Sequence, residues 1–300
     1  MTLTQRADLT YKANSKAGRH GWLRLTPAYS INLVYSELEK LPPKSHIIEP
    51  FSGSGTTPLA ASELGMTCEA REINPFLVWF GNAKLANYSE EDVNNTLRVA
   101  SDIVRKASKS EGLDGLWVPP MFNINRWWDQ AALEALASVR HEVDAYSGKE
   151  RDLLDIAFCR LLISLSSAAF NHQSMSFKNQ ESLFEYDRET FLYNVRSFLE
   201  IVSDVTSRAL ADRVLGEAKV QHGDSTRPFD GFHKADLVIT SPPYANRMSY
   251  IRELRPYMYW LRYLESGEQA GDLDWQTIGG TWGSVGTKLR ERIPDSGVPI

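Results

Sequence analysis

His46-Ile47-Ile48-Glu49-Pro50-Phe51-Ser52-Gly53-Ser54-Gly55-Thr56-Thr57 is the stretch whose reading decides the fold. A short apolar run enters a Gly-x-Gly turn and leaves into a helical pattern carried by Leu59, Ala60 and Leu64, with Gly65 placed to cap it. Met66-Thr67-Cys68-Glu69-Ala70-Arg71-Glu72-Ile73 then reads as a second strand that ends in an acid. Strand, glycine turn, helix and strand make a βαβ unit, and such a unit implies a parallel sheet.

Glycines at the turn let the backbone approach a ligand closely. Glu72, about 20 positions beyond them, can accept hydrogen bonds from both hydroxyls of a ribose. That is the general logic of adenosine-cofactor binding. The third glycine of the dinucleotide fingerprint is absent, because Thr57-Pro58 occupy its place. A cofactor without phosphates therefore fits better than one with a pyrophosphate.

Two later stretches read as further strands. Val220-Gln-His-Gly-Asp224 is short and ends in an acid, which either caps its own backbone as an Asx-turn or meets a ligand. Asp236-Leu237-Val238-Ile239-Thr240-Ser241-Pro242-Pro243-Tyr244 runs apolar residues into a rigid corner. The run reads as a buried parallel strand. Its prolines stop the ladder and hold Ser241 out of the α region. A small acceptor and a flat ring then stand at the carboxyl end of a strand, where open α/β sheets bind ligands.

Glu49-Pro-Phe-Ser-Gly-Ser-Gly-Thr-Thr, Arg71-Glu-Ile-Asn-Pro and Thr240-Ser-Pro-Pro-Tyr together resemble motifs of the S-adenosylmethionine-dependent DNA amino-methyltransferases, which modify cytosine N4 or adenine N6. The likeness covers residues 19–85 and 220–262; His20-Gly-Trp-Leu-Arg-Leu-Thr-Pro-Ala-Tyr-Ser resembles the family's segment over the methionine end of the cofactor. Glu49 departs from the usual Asp but keeps the carboxylate, one methylene longer. The resemblance implies a Rossmann-like methyltransferase α/β sheet with a large helical insertion. It implies that Glu49, Gly53 and Gly55 hold the methionine part of S-adenosylmethionine, Glu72 the ribose and Asp224 the adenine, with Pro50, Phe51, Thr56 and Asn74 completing the cofactor set. Ser241 and Pro242 would accept hydrogens from the target amine, Pro243 would fix the corner and Tyr244 would stack on a flipped base of double-stranded DNA. Serine at the head of the corner favours cytosine N4. Adenine N6, RNA, and a non-catalytic subunit of a split enzyme are the other readings.

The domain reading places an N-terminal arm and cofactor-covering helix at 1–45, the catalytic core at 46–85 and 216–264, a helical insertion with a target-recognition role at 86–215, and a Gly-rich tail at 265–300. Residues 1–24 are basic and read either as a solvated arm or as a covering segment. Pro27 to Leu41 looks helical and is ended by Pro42-Pro43. The insertion shows helical spacing at 92–106, 131–143, 152–170 and 191–210. Between them, Leu116 to Trp128 is aromatic-rich, either packing helices onto a sheet or facing nucleic acid. After the corner, Arg247, Arg252 and Arg255 stand among aromatic residues and would contact DNA phosphates, or else form the solvated face of an amphipathic helix. Strand candidates lie near 47, 68, 220 and 238 with none after them, so the expectation is either that the chain is a piece of a longer one or that a second polypeptide completes the sheet.

With 300 residues, 42% hydrophobic and 24% charged, the chain supports a sizeable core. A formal net charge of −5 leaves nucleic-acid contact to local basic patches. Cys68 and Cys159 sit in apolar surroundings and read as free thiols of a reducing, cytoplasmic compartment. The six histidines show no metal spacing, and the apolar run Leu153 to Phe170 carries Asp155 and Arg160 and reads as a buried helix rather than a membrane span.

Overall fold

The computed structural model describes residues 11–25, 29–169, 176–177, 186–227, 234–242 and 250–277. Its centre is a parallel sheet of order β5-β2-β1-β6, built from β1 (His46–Glu49), β2 (Thr67–Glu72), β5 (Ala218–His222) and β6 (Leu237–Val238). A separate antiparallel pair joins β3 (Ala168–Ala169) to β4 (Ser176–Phe177). All four expected strands are present. β1 pairs with β2 in the register Ile47↔Cys68 and with β6 in the register Ile47↔Leu237. The chain steps outward from β1 through β2 to β5, then crosses to the opposite side of β1 for β6. That reversal creates a topological switch point between β1 and β6, where the carboxyl ends of the strands part and leave a crevice.

The expectation of a buried strand at Asp236–Thr240 is corrected. β6 pairs with β1 alone among the described residues, and Val238 is 54% exposed. A strand with one partner presents alternate residues to solvent, however apolar its sequence.

Helices α1 (Ile31–Leu38), α2 (Thr56–Glu63) and α3 (Pro75–Leu85) pack side by side on the sheet, α2 in the middle. α1 is shorter than the expected 27–41. It begins at Ser30, whose Oγ accepts the Asn32 amide, and its buried stripe is Ile31, Val34 and Leu38. Val34, Leu38, Ile47, Ala60, Ala61, Met66 and Cys68 close the core on this side. α3 follows the Asn74-Pro75 start, with Asn74 Oδ1 accepting the Phe76 amide and proline in the first turn. Its apolar residues run almost all round the helix, because it is buried between the sheet and a second helical layer.

That second layer is the insertion. α4 (Glu90–Ala107), α6 (Gln130–Val143) and α7 (Gly148–Ser164) surround α8 (Arg188–Ala211), and together they hold the largest apolar core of the molecule. α4 starts with a reciprocal capping box between Ser89 and Asp92. The run beginning at Leu153 is a buried helix, as expected, but it ends at Ser164. Asp155 lies within it because Arg140 Nη1 donates to Asp155 Oδ1 at 2.7 Å and Arg151 Nε to Oδ2 at 2.8 Å. No helix among the described residues is long and apolar enough to cross a membrane.

The aromatic stretch 116–128, which includes α5 (Ile124–Trp127), mainly packs. Trp128 is fully buried and donates Nε1–H to the Leu162 carbonyl at 2.9 Å; Trp117 and Trp128 meet Trp260 edge-on at 6.0 and 5.9 Å. Trp260 ends α9 (Tyr250–Trp260), which follows the proline corner. Phe76 stacks on Tyr257 at 5.3 Å, so α9 is fastened to α3 as well as to the insertion.

The solvated-arm alternative fails for residues 11–25. Arg19 is 1% exposed: its Nη1 donates to the carbonyls of Lys84 and Ala86 at 2.8 and 2.7 Å, and its Nε to Ala209 O at 3.2 Å. One guanidinium thus satisfies carbonyls at the ends of α3 and α8, where the helix dipoles favour a cation. Trp22 Nε1 donates to Val205 O at 3.0 Å. The Gly-rich tail is likewise corrected in part. Ser266 caps α10 (Gly267–Gln276), which buries Ala270 and Asp274; residues 278–300 lie outside the described residues.

Candidate ligand site at the strand ends

The carboxyl ends of all four strands open on one cleft of about 1070 Å³, its mouth included. One wall is the glycine turn after β1, Pro50 to Ser54. The floor is Arg71 to Asn74 at the end of β2 and Gly223 to Thr226 after β5. The facing wall is Ser241 and Pro242 after β6, with Ile251 and Leu254 from α9. Leu25 and Tyr29 close it from the N-terminal segment, and Gln276 and Thr277 from the end of α10. Glycine turn and serine-proline corner thus line one cleft at the ends of the adjacent strands β1 and β6.

The turn is held from below. Gly53 N–H donates to Glu72 Oε2 at 2.8 Å and Asn74 N–H to Glu72 Oε1 at 2.9 Å, so one carboxylate spans the ends of β1 and β2. Burial pushes the Glu72 pKa up to about 6, against the pull of these amides. Ser52 N–H donates to Arg71 O at 2.9 Å, and Lys84 Nζ reaches from α3 to Ser54 O at 2.9 Å. Gly53 has φ +51°, and a Cβ there would meet nothing within 4 Å, so the backbone conformation is what demands glycine. Gly55 differs: at φ +73° its Cβ would stand 3.1 Å from Gly81 Cα, so it lets α2 approach α3 rather than a ligand approach the turn.

Of the residues marked in the sequence, Pro50, Phe51, Gly53, Glu72, Asn74, Asp224, Ser241 and Pro242 line the cleft. Glu49, Gly55 and Thr56 are not on its walls. Glu49 is fully buried behind Tyr29, whose hydroxyl donates to Glu49 Oε1 and also meets Thr57 Oγ1. Burial pushes the Glu49 pKa up to about 8, and its Oε2 has no hydrogen-bond partner among the described residues. Thr56 is buried, 3.1 Å from Ser54 Oγ, in the first turn of α2. At Asp224 the Asx-turn is present: Oδ1 accepts the Thr226 amide at 2.9 Å, and the residue lies on the cleft floor. Arg252 and Arg255 are on α9 but not on the cleft wall. Pro243, Tyr244 and Arg247 lie outside the described residues.

Tyr29 lines the cleft and Lys84 holds the glycine turn beside it, and neither periodicity nor motif marked them. Tyr29 sits inside the upstream stretch that resembled a cofactor cover, which was the available signal. Lys84 carried none: it is the last polar position of a helix apolar nearly all round, and burial lowers its pKa to about 7. Gln276 and Thr277 were concealed in a segment read as a tail.

Open parallel α/β sheets bind ligands in the crevice at their switch point, where this cleft lies. Type II methyltransferase M.BsoBI of Geobacillus stearothermophilus is 23% identical to the chain over 286 residues, which is 87% of this chain and 55% of that protein. The chain therefore spans about half the length of this curated relative. No family model matches the chain, and no solved structure matches it.

Proposed function

We propose that this chain forms the cofactor-binding and catalytic core of a DNA methyltransferase that uses S-adenosylmethionine and modifies the exocyclic N4 amine of cytosine. The observation that carries the reading is that Gly53 and Glu72 line one cleft together with Ser241 and Pro242. Similarity to a protein named as a Type II methyltransferase supports it.

The residues fit the cofactor. Arg71 is the only lysine or arginine on the described walls, as suits a ligand without phosphates. Two acids, Glu72 and Asp224, stand on the floor, suited to the ribose hydroxyls and the adenine amine. A buried carboxylate oxygen without a donor, Glu49 Oε2, lies behind Tyr29 and suits the cationic amino-acid end. When bound, the cofactor supplies a methyl group on an electrophilic sulfonium. The protein's work is then positional. Ser241 Oγ and the Pro242 carbonyl accept the two N–H hydrogens of the base amine and hold its nitrogen towards the methyl, which needs no covalent intermediate. Leu25, Leu77, Ile251 and Leu254 give the cleft apolar walls that exclude water from the transfer.

Tyr244 would stack on the extruded base, and Arg247, Arg252 and Arg255 would meet DNA phosphates. The half-exposed β6 edge is where further polypeptide would extend the sheet. Modification within a restriction or defence system, in the cytoplasm, completes the reading. Nucleoside analysis of DNA incubated with the complete enzyme and labelled cofactor tests it. N4-methylcytosine is expected; N6-methyladenine would reassign the base, and label in RNA or protein alone would overturn the DNA reading.

A further inference from the structure

Glu49 is the acid that motif resemblance sets against the cofactor's ammonium group, yet it is 0% exposed and absent from the cleft wall. Tyr29 stands in the wall instead. Its position is fixed by Asn14, itself 6% exposed: Asn14 Nδ2 donates to Tyr29 O at 2.9 Å while Asn14 Oδ1 accepts the Ile31 amide at 2.9 Å. A single side chain therefore braces the backbone on both sides of the turn into α1.

The Tyr29 hydroxyl has one proton, and it goes to Glu49 Oε1. Thr57 Oγ1, in contact with the same oxygen from α2, can donate to it. A phenol oxygen that donates to a carboxylate is a stronger acceptor towards the next donor. Tyr29 lines the cleft, and its oxygen keeps one acceptor lobe unused, backed by a buried acid whose Oε2 has no hydrogen-bond partner among the described residues. An ammonium group satisfies this arrangement: it donates to the phenol oxygen, and its charge stabilises the ionised form of the Glu49 acid, which burial otherwise holds protonated up to about pH 8. A carboxylate or phosphate at that place would meet only acceptors.

We infer that Tyr29 is the residue that reads the α-ammonium of an amino-acid-bearing cofactor, and that Glu49 acts through it as a positioning residue rather than by contact. This rests on the S-adenosylmethionine reading above and goes beyond it by moving the contact from the motif acid to a tyrosine outside the motif.

Calorimetry of the full chain with two ligands tests it: S-adenosylmethionine, and 5′-methylthioadenosine, which lacks the amino-acid tail. Wild-type protein should bind both. Tyr29→Phe should bind S-adenosylmethionine about tenfold more weakly, the loss of one charge-assisted hydrogen bond, and 5′-methylthioadenosine unchanged. Glu49→Gln should show the same selectivity. The double variant should be no weaker than the Glu49→Gln variant, because the two residues act as one unit. Retained affinity for 5′-methylthioadenosine certifies a folded cleft in each variant. Tyr29→Phe that binds S-adenosylmethionine as wild type does, while Glu49→Gln does not, would make Glu49 the direct contact and overturn the inference. Equal weakening of both ligands would overturn it too. A wild-type chain that binds neither would remove the cofactor reading itself.

Discussion

Glu72 Oε2 accepts the Gly53 amide at 2.8 Å, so the acid ending β2 holds the glycine turn that ends β1. The same carboxylate is on the cleft floor. Its removal should act twice. Glu72→Ala frees two backbone amides and takes away a ligand acceptor, so S-adenosylmethionine binding should fall below detection in calorimetry. The midpoint of urea unfolding should drop by an amount equal to about 1–3 kcal/mol. Unchanged affinity would mean that the ligand lies elsewhere.

The two turn glycines should differ in their cost. Gly53→Ala puts a Cβ into open space at a positive φ and should destabilise by about 1 kcal/mol. Gly55→Ala adds a contact at 3.1 Å with Gly81 Cα and should cost more, about 2 kcal/mol or above, by forcing α2 from α3. Chemical unfolding of both variants reads the difference.

Buried Glu49 sets a pH dependence whose sign can be worked out. Its folded pKa, raised by burial from 4.5 to about 8, means that the folded protein holds more protons than the unfolded chain in that interval. Stability from this group is therefore lost as pH rises from 4.5 to about 8. Glu72 adds a smaller loss between 4.5 and about 6. Lys84, lowered by burial from 10.5 to about 7, acts oppositely: its penalty is full below about 7 and lifts as pH rises towards 10.5. Glu49→Gln mimics the protonated acid. Its thermal midpoint should match wild type below pH 4.5 and exceed it most at pH 8, in melts without ligand.

Asp155 tests the insertion as a structural unit. Its partner Arg140 is 1% exposed and lies over the Phe158 ring at 5.2 Å. Asp155→Ala removes one of the two carboxylates that receive this buried guanidinium, the other being Asp144, and should cost about 3–5 kcal/mol in urea unfolding. Arg140→Met with Asp155→Leu should recover much of that, since an apolar pair of similar volume fits the core.

Ser241→Ala should separate chemistry from binding. If the serine accepts a hydrogen of the base amine, kcat for methyl transfer to DNA should fall about 100-fold with the cofactor Kd unchanged. An equal loss in Kd would assign Ser241 to the cofactor instead.

Local chemistry announced much of this molecule. β1 and β6 were legible because a short apolar run stopped at a residue that cannot continue it, at Glu49-Pro50 and Ser241-Pro242, and β2 and β5 because a short run ended in an acid. The Gly-x-Gly turn, and the acid about 20 residues on, marked the ligand end of the sheet. The failures have physical causes. α3 was not read as a helix because burial on all sides erases the amphipathic period. α10 was hidden by Gly267 and Gly271, and forms with a Ser266 cap and the burial of Ala270 and Asp274. Arg19 reads as a solvated cation until the ends of α3 and α8 are seen to converge on it.

By itself, then, the sequence determined a parallel α/β sheet, the strand ends that open on the cleft, and eight of the residues that line it, because turns, prolines and hydrophobic runs act within a few residues. Only the tertiary structure decided which acid touches the cleft. Glu49 and Glu72 each end a strand, and nothing local distinguishes them. Tyr29, brought in by Asn14 from outside the motif, covers the first and leaves the second open.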